Sequence, residues 1–334
     1  VPSIFICIKR NVPRAMSHFK RMEGSMGFDL SMVQFLFGAK KQGVDFRKTL
    51  LLGRQEFHLD TLSLQAVLDQ QKVVTPAPTA EELRQKTGKY CEEYLRWMGA
   101  QQVDSMDASS YEEATIIQDL NQPLNDSVPR DYSLVIDGGT LEHVYHFPQA
   151  IQNVKNLLAV GGSFLSVTTA NNFLGHGFYQ FSPELIYRVF GKESGFQVRA
   201  IFLRELSVDA ILSQKGWHYV KDPEEILKRA TLVNAAPTYI VFHVQKLREV
   251  ENAPFIFQQS DYSSRWKGEA SLEVNFSPNE KSRYPWIPGS LKRKLRMLQF
   301  RVRESFGNKK SPFEDSCYQT VCDLDVIHGT AWKT

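Results

Sequence analysis

Between residues 131 and 183 apolar and polar positions come in alternating blocks. Residues 132–136 form an apolar run that stops abruptly at Asp137-Gly138-Gly139, the pattern of a buried strand. Pro148 then opens a stretch in which Ile151, Val154, Leu157 and Leu158 recur at helical spacing, with Gly161-Gly162 as its predicted C-cap. A second apolar run, 163–167, closes on Thr168, Thr169, Asn171 and Asn172. The order strand, polar loop, helix, strand, polar loop predicts a parallel crossover unit. Such crossovers are right-handed, so both polar loops fall at one edge of the sheet. Ligands bind at that edge in open α/β sheets.

The rest of the chain extends this pattern. Residues 28–37 predict a helix beside the start of the sheet, bounded by Gly27 and Gly38. Residues 45–53 read as the first strand and 59–68 as a short helix. A Pro-containing break at 74–78 follows. Thr79 and Glu82 have the spacing of a capping box. The helix they open is expected to run to Met98 and stop at Gly99, with Tyr90, Tyr94 and Trp97 on one face. Residues 101–106 read as a second strand ending at Asp107, and 115–118 as a third, followed by Asp119-Leu120. Ser182 and Pro183 fit the N-cap and first position of a further helix, with Leu185, Ile186, Val189 and Phe190 as its apolar face. Residues 197–203 and 238–244 complete seven strands, and 213–234 between them is polar and partly helical.

Composition narrows the class. Of 334 residues, 42% are hydrophobic and 23% charged, as in ordinary soluble globular proteins. No apolar run approaches the ~18 residues of a membrane helix. Residues 4–8 are interrupted by Lys9-Arg10 without a small-residue cleavage site, so they do not read as a signal peptide. The chain opens on Val1 rather than Met, so its true start is expected upstream. A net charge of +3 implies no polyanion partner. Cys7, Cys91, Cys317 and Cys322 are few and scattered, which suits a reducing, cytoplasmic setting and free thiols rather than a zinc site.

The run Asp137-Gly138-Gly139-Thr140-Leu141-Glu142-His143-Val144, then Leu157-Leu158-Ala159-Val160-Gly161-Gly162 before a strand, resembles the second half of a class I S-adenosylmethionine-dependent methyltransferase. The resemblance covers roughly residues 45–244. It implies an α/β fold: a Rossmann-like, seven-stranded, mostly parallel sheet flanked by helices, whose last two strands form an antiparallel hairpin. An N-terminal helical segment (1–44) would precede this domain (45–248), and a C-terminal extension (249–334) would follow. The resemblance also implies S-adenosyl-L-methionine as cofactor, held by Gly53 and Gln55 after the first strand. Asp107, with Ala108, would bind the ribose hydroxyls. Asp119 would meet the adenine amino group, with Leu120 packing on the ring, and Asp137 and Gly138 would face the methionine portion. The sequence departs from the family after strand one. Leu51 stands where an acid is expected, and Arg54-Gln55-Glu56-Phe57 replaces the remaining glycine pattern. Glu56 or Asp60 are then the carboxylates nearest to hand for the methionine ammonium.

Methyl transfer from a sulfonium is an in-line displacement, so positioning supplies most of the acceleration. A hydroxyl acceptor also gives up a proton, which calls for a general base. His143 after strand four and His176 in the loop after strand five are the candidates, with Glu142 as an orienting group. Residues 171–180 combine amides, two glycines, a histidine and aromatics including Tyr179. That mixture suits a polar, ring-bearing small-molecule or glycan acceptor. Nucleic acid is not the expected substrate, because Asp137-Gly138-Gly139 stands where base-modifying relatives carry an Asn-Pro-Pro-Tyr-like signature. The broken glycine pattern keeps a non-catalytic methyltransferase-like binding domain as the alternative. A dinucleotide-dependent oxidoreductase would need a fuller glycine fingerprint. In the extension, Leu291, Leu295, Leu298 and Val302 share a face ringed by basic residues. This helix (290–306) would either pack on its own domain or touch an anionic membrane or phosphorylated substrate.

Overall fold

A computed structural model describes residues 27–71, 78–206, 216–251, 256–266 and 317–321. The basic stretch 1–26, all of the 74–78 break but Pro78, the helix at 290–306 and Cys322 lie outside the described residues. The first half contains α1 (Leu30–Lys41), β1 (Lys48–Leu52), α2 (Thr61–Gln70), α3 (Ala80–Thr87), α4 (Glu92–Trp97), β2 (Gln102–Asp107) and β3 (Ile116–Ile117). Then come β4 (Tyr132–Asp137), α5 (Phe147–Leu157), β5 (Leu158–Asn171), α6 (Pro183–Val189), β6 (Phe196–Glu205), β7 (Trp217–Val220), β8 (Thr238–Lys246), α7 (Ser260–Trp266) and β9 (Tyr318–Val321).

The strands form one sheet in the order β3-β2-β1-β4-β5-β8-β6-β7-β9. The ladders from β3 to β5 are parallel, and those from β5 onward are antiparallel. Strand side chains alternate between faces, and two cores follow from that. Leu51, Leu134, Ile136, Leu165 and Val241 join the apolar residues of α1 to α4 on one face. Leu50, Leu52, Val135, Phe164 and Phe242 join those of α5 and α6 on the other. Among the described residues no helix is long and apolar enough to cross a membrane.

Three expectations are corrected. The sheet has nine strands rather than seven: β7 arises within the stretch read as polar and partly helical, and β9 comes from the C-terminal segment and pairs with β7. Both are four residues long, too short for a period-2 signal to stand out. The single helix expected over 79–98 is two. Its capping box is present, but the chain breaks after Thr87 so that Tyr90 can bridge to Glu56. Finally, Gly161-Gly162 does not cap α5, which ends at Leu157. The Lys246 ammonium donates to the carbonyls of Lys155 at 3.0 Å and Leu158 at 2.8 Å, so a buried cation satisfies the helix C-terminus instead. The glycines lie inside β5, where a Cβ on Gly162 would sit 2.8 Å from the Tyr132 carbonyl.

Candidate active site

The chain leaves β1 toward β2 on one side and returns through β4 on the other, so the switch point of the sheet lies between β1 and β4. Gly53 follows β1 directly and Gly138 follows β4. Gly53 has φ +69°, the left-handed region that favours glycine. The buried side chain of Gln55 folds back into the space between them. Its Nε2 donates to the Leu52 carbonyl at 2.5 Å and to the Thr140 hydroxyl at 3.1 Å. A Cβ on Gly138 would lie 2.6 Å from Gln55 Oε1. One carboxamide therefore walls the crevice that a glycine-rich turn leaves open. Glu56 and Asp60 are engaged elsewhere: Glu56 pairs with Lys89 at 3.0 Å, and Asp60 caps α2 by accepting from the Ser63 N–H at 2.7 Å. Arg54 ties this loop to its neighbours. It donates to Glu92 and to the Glu112 carbonyl, each at 2.8 Å, and stacks 4.0 Å over Tyr90.

Asp107 ends β2, half-exposed, with exposed Ala108 beside it. Its Oδ1 accepts from the Ser109 N–H at 3.3 Å. Asp119 is exposed after β3, and its Oδ1 accepts from the backbone and side-chain nitrogens of Asn121, each at 2.8 Å. Each carboxylate thus engages one oxygen in its own turn. The two acids stand at the same sheet edge as Gly53 and Gly138. Leu120, by contrast, is buried in the core shared with α5, because the turn after Asp119 folds inward. The resemblance has Leu120 packing on the adenine ring; its side chain is 5% exposed here.

Asp137 is likewise not an open ligand. It is fully buried. Oδ1 accepts from the Thr140 N–H at 2.8 Å and the Leu141 N–H at 3.3 Å, and Oδ2 accepts from the Ser166 hydroxyl at 2.8 Å. Burial raises its pKa in spite of these donors. The carboxyl pins the turn that leads into the 3₁₀ segment Leu141–His143.

That segment carries the densest chemistry. Glu142 is fully buried, and burial together with the charge of Asp137 pushes its pKa up to about 8. Oε2 accepts from the Thr168 hydroxyl at 2.8 Å. Among the described residues Oε1 has no hydrogen-bond partner, and it lies 3.8 Å from His176 Nε2, which also has none. The rings of His143 and His176 meet edge to face with centroids 4.9 Å apart. Burial lowers the pKa of both, and His143 lowers that of His176 further, which favours the neutral imidazoles.

The loop after β5 is clipped over Glu142. The N–H groups of Phe178 and Tyr179 donate to the Glu142 carbonyl at 2.7 and 3.3 Å. Gly177 makes the approach possible: its φ is +71°, and a Cβ would lie 2.8 Å from that carbonyl. The Tyr179 hydroxyl donates to the Tyr145 carbonyl at 2.7 Å. The amides of Asn171 and Asn172 bond to Asn234 and Ala236, so they anchor the loop. Tyr145, Leu174 and Phe178 are exposed on the same two segments as the histidines, and the rings of Tyr145 and Phe178 meet at 5.9 Å.

Sequence reasoning gave Glu142 an orienting role, placed Thr168 only among the polar residues at the end of the strand, and passed over Ser166. Their signal was the S-x-T alternation in β5, which aims both hydroxyls at one face, where they meet Asp137 and Glu142.

No family model and no curated protein matches the chain. Among solved structures it is similar to the YcgJ protein of Bacillus subtilis (9% identity, TM-score 0.35, covering 64% of this chain and 99% of that one). It is also similar to the N-methyltransferase NodS of Bradyrhizobium japonicum, solved with S-adenosyl-L-homocysteine (10%, 0.31, 63% and 86%). A third is the 1,6-didemethyltoxoflavin-N1-methyltransferase of Burkholderia thailandensis (10%, 0.32, 74% and 91%). These likenesses are distant, but the chain's own sheet speaks directly. Its five parallel strands split between β1 and β4 and are closed by the antiparallel β8, with Leu141-Glu142-His143-Val144 after β4; the chain has the Rossmann-like fold of the class I S-adenosylmethionine-dependent methyltransferases.

Proposed function

We propose that this chain binds S-adenosylmethionine and transfers its methyl group to a hydroxyl oxygen of a small-molecule or glycan acceptor. When bound, the cofactor supplies an electrophilic methyl on a sulfonium. Asp107 and Asp119 would hold its ribose and adenine, and Gly53, Gln55 and Gly138 would line the methionine end. The observation that carries the reading is the cluster Glu142, His143 and His176 at the same sheet edge as those two acids. The neutral imidazoles are in the form that accepts a hydrogen bond or a proton from an acceptor hydroxyl. The exposed aromatic rim of Tyr145 and Phe178 offers flat apolar surface for a ring-bearing acceptor. Titration calorimetry with S-adenosylmethionine and S-adenosylhomocysteine tests it. Micromolar binding is expected, with a loss of at least about tenfold in Asp107→Ala.

One observation favours the second reading, a methyltransferase-like binding domain without catalysis: Gln55 fills the turn beside Gly138. Absence of cofactor binding in the intact chain would set the first reading aside and put this one in its place.

A further inference from the structure

We propose that Glu142, His143 and His176 form a binding site for a divalent first-row transition metal ion. The three residues each present a ligand atom, and all of these lie within 4.8 Å of one another. Two of the atoms are unexplained otherwise. Glu142 Oε1 and His176 Nε2 are buried, face each other at 3.8 Å, and have no hydrogen-bond partner among the described residues. A buried carboxyl oxygen left without a partner is unfavourable, and a cation seated between it and the imidazole nitrogen would satisfy both. Two imidazoles and one carboxylate are the donor set of open zinc sites and of related manganese, iron or cobalt sites.

The surroundings match. The Thr168 hydroxyl donates to Glu142 Oε2 at 2.8 Å, which fixes the carboxylate plane as outer-shell partners of metal ligands do. Metal bonds of about 2.1 Å would draw the donors to within roughly 3.5 Å of one another. The exposed His143 ring has the freedom to swing in. Three protein ligands would leave further coordination positions open to an acceptor. An oxygen acceptor bound there would be oriented, and its O–H acidified by the ion, with the proton passing to solvent. The imidazoles would then act as ligands and not as the base. This last step rests on the methyl-transfer reading; metal binding itself does not.

The test uses the untagged full chain, stripped with a chelator and titrated with Zn²⁺ by calorimetry and with Co²⁺ by visible absorption. One equivalent is expected, with a d–d band for Co²⁺. Glu142→Gln, His176→Ala and His143→Ala are each expected to weaken binding at least about tenfold, and Thr168→Val about tenfold. His143 is exposed, so its variant folds even if removal of Glu142 does not. Failure of the intact chain to bind one equivalent, or unchanged binding in His143→Ala and His176→Ala, would overturn the site. S-adenosylhomocysteine is titrated into the same stripped samples. Cofactor binding without metal binding defeats only the metal site, and metal binding without cofactor binding defeats only the methyl-transfer reading.

Discussion

The Gln55 carboxamide occupies the space where a side chain at Gly138 would begin, across the switch point of the sheet: a Cβ added to Gly138 would lie 2.6 Å from Gln55 Oε1. Gln55 is held there by the Leu52 carbonyl and the Thr140 hydroxyl. Gly138→Ala therefore displaces the Gln55 carboxamide and strains both bonds, and Gln55→Ala removes one donor from each partner while the Leu52 carbonyl keeps the Thr140 hydroxyl at 2.7 Å. Each is expected to destabilise by about 1–2 kcal/mol. In the double variant the clash is gone. A double-mutant cycle by urea unfolding should then show a coupling of about 1 kcal/mol or more. Strict additivity would mean that the two side chains do not meet.

Gly177 is the second position where backbone geometry decides. With φ +71° and the Glu142 carbonyl 2.8 Å from where its Cβ would stand, Gly177→Ala strains the loop and pushes it off that carbonyl. The expected loss is about 1–3 kcal/mol. The Phe178 amide, protected by its bond to Glu142, should exchange with solvent faster. Unchanged protection at Phe178 would rule out the clip.

The parts of this molecule legible in the sequence are those built on strong periodicity. The apolar runs of β1, β4, β5 and β8 and the capping signals at Thr79 and Ser182 are local, and the structure has them. The Asp107 and Asp119 positions followed from strand ends. What was not legible depends on partners distant in sequence. Lys246 caps α5 across 91 residues, and Ser166 turns Asp137 inward across 29. The fill of the crevice by Gln55 depends on Gly138 and Thr140 lying opposite. Pattern gives which face a residue takes. It does not give which group waits there.

Lys155 is a buried ammonium on α5. It donates to the Ser194 hydroxyl at 3.2 Å and lies 5.1 Å from the centre of the Phe257 ring. Burial pushes its pKa down to about 8, against about 10.4 for the unfolded chain. Below pH 8 both states are protonated, so the full penalty for burying the charge is present. Between about 8 and 10.4 the folded state gives up its proton first, and stability rises with pH. Lys155→Met, which keeps the stem and drops the charge, is expected to gain about 1–3 kcal/mol at pH 7. The gain should shrink at pH 10. Denaturant midpoints at the two pH values check this; a variant less stable at pH 7 contradicts it.

His243 on β8 has the opposite pH signature. It is buried, with Nε2 2.9 Å from the Ser163 hydroxyl. Burial, and then the charge of Arg199, lower its pKa to about 3. The unfolded chain takes up a proton near pH 6.5 that the folded chain refuses until pH falls to about 3. The neutral ring's contribution is therefore complete above 6.5 and lost progressively as pH drops toward 3. At pH 5 the loss is about 2 kcal/mol. His218, lowered to about 4 by burial and Arg204, adds a second term of the same sign. His243→Gln keeps a side chain able to bond Ser163 but does not titrate. Its stability should fall less steeply than the parent's between pH 7.5 and pH 5, by about 2 kcal/mol over that span. Urea unfolding across the range decides: parallel curves for parent and variant would show that His243 does not drive the acid loss, and a residual slope that disappears on adding His218→Gln would divide it between the two rings.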